Sequence, residues 1–105
     1  MSLDLSLQCR ACEQSFWTRN ITHNLLPMWQ AAGVREALYE SQGKTAADVR
    51  AAVADGLTTM KQEPRRFEAL NAPNGWGTYE GAVSFLEGFL AACDEFPHGV
   101  IRVSR

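Results

Sequence analysis

The sequence predicts an α+β domain: a mainly helical body of three to five helices, with a small antiparallel sheet formed by an N-terminal hairpin and a C-terminal strand. Three observations carry this. Residues 3–9, Leu-Asp-Leu-Ser-Leu-Gln-Cys, alternate apolar and polar, the two-residue period of a strand with one buried face. Between residues 25 and 95 apolar side chains recur at the three- and four-residue spacing of helices. After Pro97 a β-branched run, Val100-Ile-Arg-Val-Ser104, supplies a last strand whose natural partner is the hairpin. With 105 residues, 46% of them hydrophobic, the chain suffices for one core and one domain, and intrinsic disorder is not expected.

Taken in order, Leu3, Leu5, Leu7 and Cys9 line one face of the first strand. Residues 15–21, Ser-Phe-Trp-Thr-Arg-Asn-Ile, are rich in aromatic and β-branched types and read as the second, with Arg10–Gln14 as the hairpin link. Leu25, Met28, Trp29 and Ala32 form one helical stripe. Pro27 must lie in the first turn, where its missing N–H leaves nothing unpaired. Asn24 is then the expected N-cap, and His23 stands just outside the positive end of the helix. Gly33 ends this helix, and Val34–Glu40 adds a turn or two with Leu38 and Tyr39 inward.

Beyond the Gly43-Lys44 break, Thr45-Ala-Ala-Asp48 is a capping box with Asp in place of Glu or Gln. It opens a helix with Val49, Ala52, Val53, Gly56, Leu57 and Met60 on one face. Pro64 starts a short helix anchored by Phe67 and Leu70. Asn71–Thr78 is a turn, and the last helix covers roughly residues 79–95. Its stripe is Ala82, Phe85, Leu86, Phe89, Leu90 and Cys93, and Pro97 stops it. Gly81 and Gly88 are each about 1 kcal/mol worse than Ala in a helix, and they lie on one side, so another backbone is expected to approach there.

Charge and cysteine content narrow the function. Ten basic against twelve acidic residues give a net charge of −2, with no general attraction for a polyphosphate backbone, although Lys61, Arg65 and Arg66 form a local basic group. No apolar run has membrane-spanning length and no leader pattern opens the chain, so the cytoplasm is the expected location. Cys9, Cys12 and Cys93 are an odd set without a secretion signal and read as free thiols. In that setting Asn20-Ile-Thr22 matches a glycosylation acceptor only by chance. No G-x-S-x-G, phosphate-cradling loop or H-E-x-x-H is present, and Glu36 and Glu40 share a solvated helix face.

Three places could carry chemistry. At Asn20-Ile-Thr-His-Asn24, His23 and Asn24 sit where a helix N-terminus favours an anion or a neutral imidazole; the competing reading is backbone bonding at a strand-to-helix corner. Asn71-Ala-Pro-Asn-Gly-Trp-Gly-Thr-Tyr79 is the densest cluster of special residues in the chain. It could form an aromatic pocket wall with Asn71 or Asn74 as polar contact, or plug the core with Trp76 and Tyr79, and the size of those rings favours the plug. Cys9-Arg-Ala-Cys12 could grip zinc, but a structural site needs four ligands, and the rest would have to be His23, Cys93 or His98. A redox dithiol is less favoured, because the βαβ setting of such motifs is missing.

Asn20-Ile-Thr-His-Asn-Leu25 with Met28, Leu70-Asn71 followed by Asn74-Gly-Trp-Gly-Thr-Tyr79, and then Ala92-Cys93, Pro97 and Val103-Ser-Arg105 together resemble a family of small uncharacterised bacterial and phage-associated proteins. The likeness covers roughly residues 20–105 and excludes the Cys9/Cys12 pair. It implies relatives rather than an activity, and it points to His23, Asn24, Asn74, Trp76 and Tyr79.

The expected function is therefore a cytoplasmic ligand- or protein-binding accessory module, of phage origin on the strength of the resemblance. Its expected site is His23, Asn24, Asn71, Asn74, Trp76 and Tyr79, with no catalytic residue, metal ligand or cofactor assigned. That requires the Trp76 indole and the His23 imidazole, far apart in the chain, to become neighbours at the seam between sheet and helices. The alternatives are a zinc-stabilised domain built on Cys9 and Cys12, and a small enzyme with His23 as base, which needs a carboxylate or thiol within about 3 Å. Exposed edges of a small sheet also leave room for a homodimer.

Overall fold

The alternating residues at the start of the chain form the strand they predict. In the computed structural model, which describes residues 2–105, β1 spans Ser2–Gln8 and pairs antiparallel with β2, Ser15–Thr22. A 3-10 turn, His23–Leu25, leads into α1 (Leu26–Ala32) and α2 (Arg35–Tyr39). Then come α3 (Ala46–Gln62), α4 (Pro64–Glu68), α5 (Tyr79–Glu95) and finally β3 (Val100–Ser104). The sheet order is β2-β1-β3, with both pairings antiparallel. The expected α+β architecture is the one found.

Leu3, Leu5 and Leu7 are fully buried, as is Ile101 opposite Leu7 on β3. Asp4, on the other face, is exposed, so one side of the sheet is covered by helices and the other meets solvent. Two aromatic side chains of α5 fill the seam. Trp17 of β2 stacks on Phe89 at 5.3 Å and meets Phe85 edge-on at 6.1 Å, while Trp29 of α1 reaches Phe85 at 5.9 Å. Phe85, Phe89 and Trp29 are all fully buried, each worth about 1.5–3 kcal/mol of transfer free energy. α3 and α5 pack along each other and supply the rest of the helical layer.

Local signals place the helix ends. Asp48 Oδ2 accepts the Thr45 N–H at 3.0 Å, the half of the capping box that an Asp supplies. Thr78 Oγ accepts the Gly81 N–H at 3.1 Å and caps α5. Pro27 and Pro64 both fall in first turns.

Three expectations are corrected. Asn24 is not an N-cap: the 3-10 turn precedes α1 and moves the cap to Thr22, whose Oγ accepts the Asn24 N–H at 3.2 Å. Ala52 is exposed rather than inward. No second backbone crowds Gly81 or Gly88, where the nearest atoms to an added Cβ are Thr78 Oγ1 and Arg19 Nη1. The close approach is at Gly56, where a Cβ would lie 2.2 Å from Val34 Cγ1 and 3.1 Å from Ala32 O.

Candidate binding site

The Asn71–Thr78 turn is held by its own asparagines. Asn74 Oδ1 accepts the Trp76 N–H at 2.9 Å, and Asn71 Oδ1 accepts the Tyr79 N–H at 2.7 Å. Ala72 N–H donates to Gly77 O at 3.0 Å across the turn. Gly75 and Gly77 have φ of 78° and 125°, values that residues with a Cβ avoid. At Gly77 a Cβ would stand 3.3 Å from both Leu25 Cδ2 and Thr22 Cγ2, and 3.4 Å from Asn24 Cβ. Only a glycine lets the turn settle so closely on the 22–25 corner.

The two segments thus meet, and Asn24 fastens them: its Nδ2 donates to Trp76 O at 2.9 Å. Beside that bond lies an open cleft of about 550 Å³, lined from one segment by His23, Asn24 and Pro27, and from the other by Leu70, Ala72, Pro73 and Asn74. Pro27, Leu70 and Pro73 give it an apolar floor and flank, while His23 and the two asparagines give it polar edges. Asn24 and Asn74 are both exposed, and among the described residues Asn24 Oδ1 and Asn74 Nδ2 make no hydrogen bond.

Both large aromatics stand elsewhere. Trp76 is neither a pocket wall nor a core plug: its side chain is 73% exposed, on the turn that borders the cleft. Tyr79 is the plug, half-buried, with its hydroxyl donating to Met60 O of α3 at 2.9 Å. Asn71 underpins the turn from outside the cleft lining. His23 lines the cleft and Trp76 does not; the link between their two segments runs through Asn24 and the Trp76 carbonyl.

His23 instead pairs with a residue the sequence did not single out as part of a site. Its Nδ1 and the Tyr39 hydroxyl are hydrogen-bonded at 2.8 Å, with ring centroids 5.6 Å apart. Burial pushes the Tyr39 hydroxyl above its ordinary pKa, against the opposing pull of Arg105 and Arg35, whose guanidinium carbons each lie 5.8 Å from the ring centre. A neutral phenol is what His23 meets. Among the described residues no carboxylate or thiol hydrogen-bonds His23, the partner that the base reading needs.

The other candidates resolve as follows. Among the described residues no group of three or more His, Cys, Asp or Glu side chains is placed to hold a metal ion, so the ligands that zinc needs beyond Cys9 and Cys12 are not gathered. Of the local basic group, Lys61 pairs with Glu87 at 2.9 Å and Arg66 with Glu63 at 3.1 Å. No described helix is long and apolar enough to cross a membrane. Compared with known proteins, the chain matches no family model, no curated protein and no solved structure.

Proposed function

We propose that this is a small cytoplasmic binding module and that the cleft, with Trp76 beside it, recognises a segment of a protein partner. One observation carries the reading. A tryptophan is held 73% exposed by a turn whose backbone is fixed from both sides, by Asn24 and by Asn74. An indole left in water forgoes the burial that would otherwise stabilise the fold, and exposed aromatics beside a groove are the usual anchors of protein interfaces. The turn is pre-ordered, so little conformational entropy is lost when Trp76 is covered. Unpartnered amide atoms at Asn24 and Asn74 suit the backbone of an extended peptide. An accessory role in a bacterial or phage setting rests on the motif resemblance alone.

The test is selection from a displayed peptide library, followed by affinity measurement on Trp76→Ala. Because the indole is mostly solvated, the variant should keep its folding stability within about 0.5 kcal/mol. Selected peptides are expected to bind it at least about tenfold more weakly than the wild type. Equal affinity for both proteins, or a library that yields no binder, would contradict the proposal.

A further inference from the structure

The link between β1 and β2 has a geometry of its own. Cys9 N–H donates to Gln14 O at 2.8 Å, and Glu13 N–H donates to Cys9 O at 2.9 Å. The second bond closes one helix-like turn over Cys9–Cys12, and Glu13, at φ 60°, ends it in the left-handed region. In such a turn, residues three apart have Cα atoms about 5 Å from one another, by the rise and radius of a helix. A disulfide accepts roughly 4.4–6.8 Å. The Cys12 side chain first, and then the backbone N–H groups of Cys12 and Ala11, lie near enough to the Cys9 sulfur to hold its thiol below the ordinary range. Cys12 is exposed and Cys9 half-buried.

Cys9 also faces a groove of about 500 Å³, separate from the cleft at His23. Phe16 and Phe96, stacked at 4.6 Å, line this groove together with Pro97, and Arg10 and His98 join them as basic side chains. Cys93 shares none of this. It is buried on α5, where desolvation pushes its thiol up to about 12, so it supplies no thiolate near neutral pH.

We propose that Cys9 and Cys12 form a reversible dithiol–disulfide site that exchanges with low-molecular-weight disulfides, of which glutathione disulfide is the representative. Cys9 is the attacking sulfur. It faces the groove, and the Cys12 side chain and then the Cys12 and Ala11 backbone N–H groups lower its pKa. Its thiolate attacks one sulfur of the incoming disulfide, that S–S bond breaks, and one glutathione leaves as a thiol carrying the proton Cys9 released. Cys12, deprotonated in turn, attacks the Cys9 sulfur of the mixed disulfide, and the second glutathione leaves with that proton. Two protein thiols are oxidised to one disulfide while one glutathione disulfide is reduced to two thiols, so no further oxidant is needed. Arg10 and His98 suit the carboxylates of that peptide.

The full chain is equilibrated in buffers of reduced and oxidised glutathione, alkylated, unfolded, digested with trypsin and read by mass spectrometry. Cleavage after Arg10 and Arg19 places the two cysteines in residues 1–10 and 11–19, so the disulfide joins two peptides into one species. That species should grow as the buffer is made oxidising and vanish on return, with Cys93 unmodified until the chain unfolds. Cys12→Ser should stop at a mixed disulfide on Cys9, formed at least about tenfold faster than the adduct on Cys12 in Cys9→Ser. Circular dichroism on both variants confirms that the turn substitution leaves the fold intact. Cysteines that stay alkylatable in oxidised glutathione overturn the proposal, as do separate stable adducts on both, or equal rates in the two variants.

Discussion

The 2.8 Å bond between His23 and Tyr39 determines what the imidazole of the cleft can do, because one ring nitrogen is already engaged. The burial of Tyr39, rather than this bond, gives stability a pH dependence. Burial raises the Tyr39 pKa in the folded state above its unfolded value near 10, so the folded chain holds this proton more tightly. The associated stabilisation is complete below about pH 10 and is lost as pH rises through the folded pKa. Tyr39→Phe should therefore lose about 1 kcal/mol at neutral pH, the worth of one hydrogen bond, and should show less of the alkaline decline than the wild type. Denaturant midpoints measured from neutral pH to about pH 11 check this, and parallel curves for the two proteins would refute it. The pairing was not legible beforehand. Tyr39 reads as one more inward side chain of a short helix, and nothing local ties it to a residue sixteen positions earlier. Asn24 was misplaced for a related reason: capping preference is a local rule, and the acceptor that claims its side chain lies fifty-two residues on.

At the scale of elements the sequence was far more informative, because punctuating residues act locally. Pro27, Pro64 and Pro97, the Thr45–Asp48 box and the alternation of β1 each set a boundary without reference to the rest of the fold. Glycines inside helices are the exception, since what they face is a tertiary matter. At Gly88 an added Cβ would meet the far end of Arg19 at 3.3 Å, a flexible group that can move aside. At Gly56 it would meet the branched Cγ1 of Val34 at 2.2 Å and the Ala32 carbonyl at 3.1 Å, where α1 ends against α3. Gly88→Ala is accordingly expected to stabilise by up to about 1 kcal/mol, the helix-propensity gain. Gly56→Ala should destabilise by about 1–3 kcal/mol, because overpacking outweighs the same gain. Val34→Ala should cost less in the Gly56→Ala background than alone, and additive costs in that double-mutant cycle would remove the assigned contact.

For the whole molecule, the open question is how a three-stranded sheet manages its edges. β3 is covered: Ile101 N–H donates to Lys44 O at 2.8 Å, Gly43 N–H to Ile101 O at 2.9 Å, and Val103 N–H to Gln42 Oε1 at 2.6 Å. β2 has no such cover among the described residues. Its Arg19, opposite buried Leu5, lies on the helix-facing side of the sheet with its guanidinium 5.8 Å from the centre of Phe85. A charge pointing inward from an edge strand discourages a second sheet from pairing there. Arg19→Val is expected to raise concentration-dependent self-association in sedimentation velocity, and unchanged behaviour would show that the charge does not guard the edge. The same global scale explains how the cleft could be anticipated only in part. Each segment announces itself, one through Pro27 and its polar neighbours, the other through Asn74-Gly-Trp-Gly77. That they meet follows from the packing of α5 against the sheet, and that the indole faces outward follows from neither segment alone.

The most direct measurement is a nuclear magnetic resonance titration of the labelled protein with a library-selected peptide, following the three indole N–H signals and the backbone amides. The Trp76 indole is expected to move together with amides of residues 23–24 and 70–77, while the signal of buried Trp29 stays in place. Perturbations confined to another surface, with Trp76 unmoved at saturation, would contradict the proposed binding site.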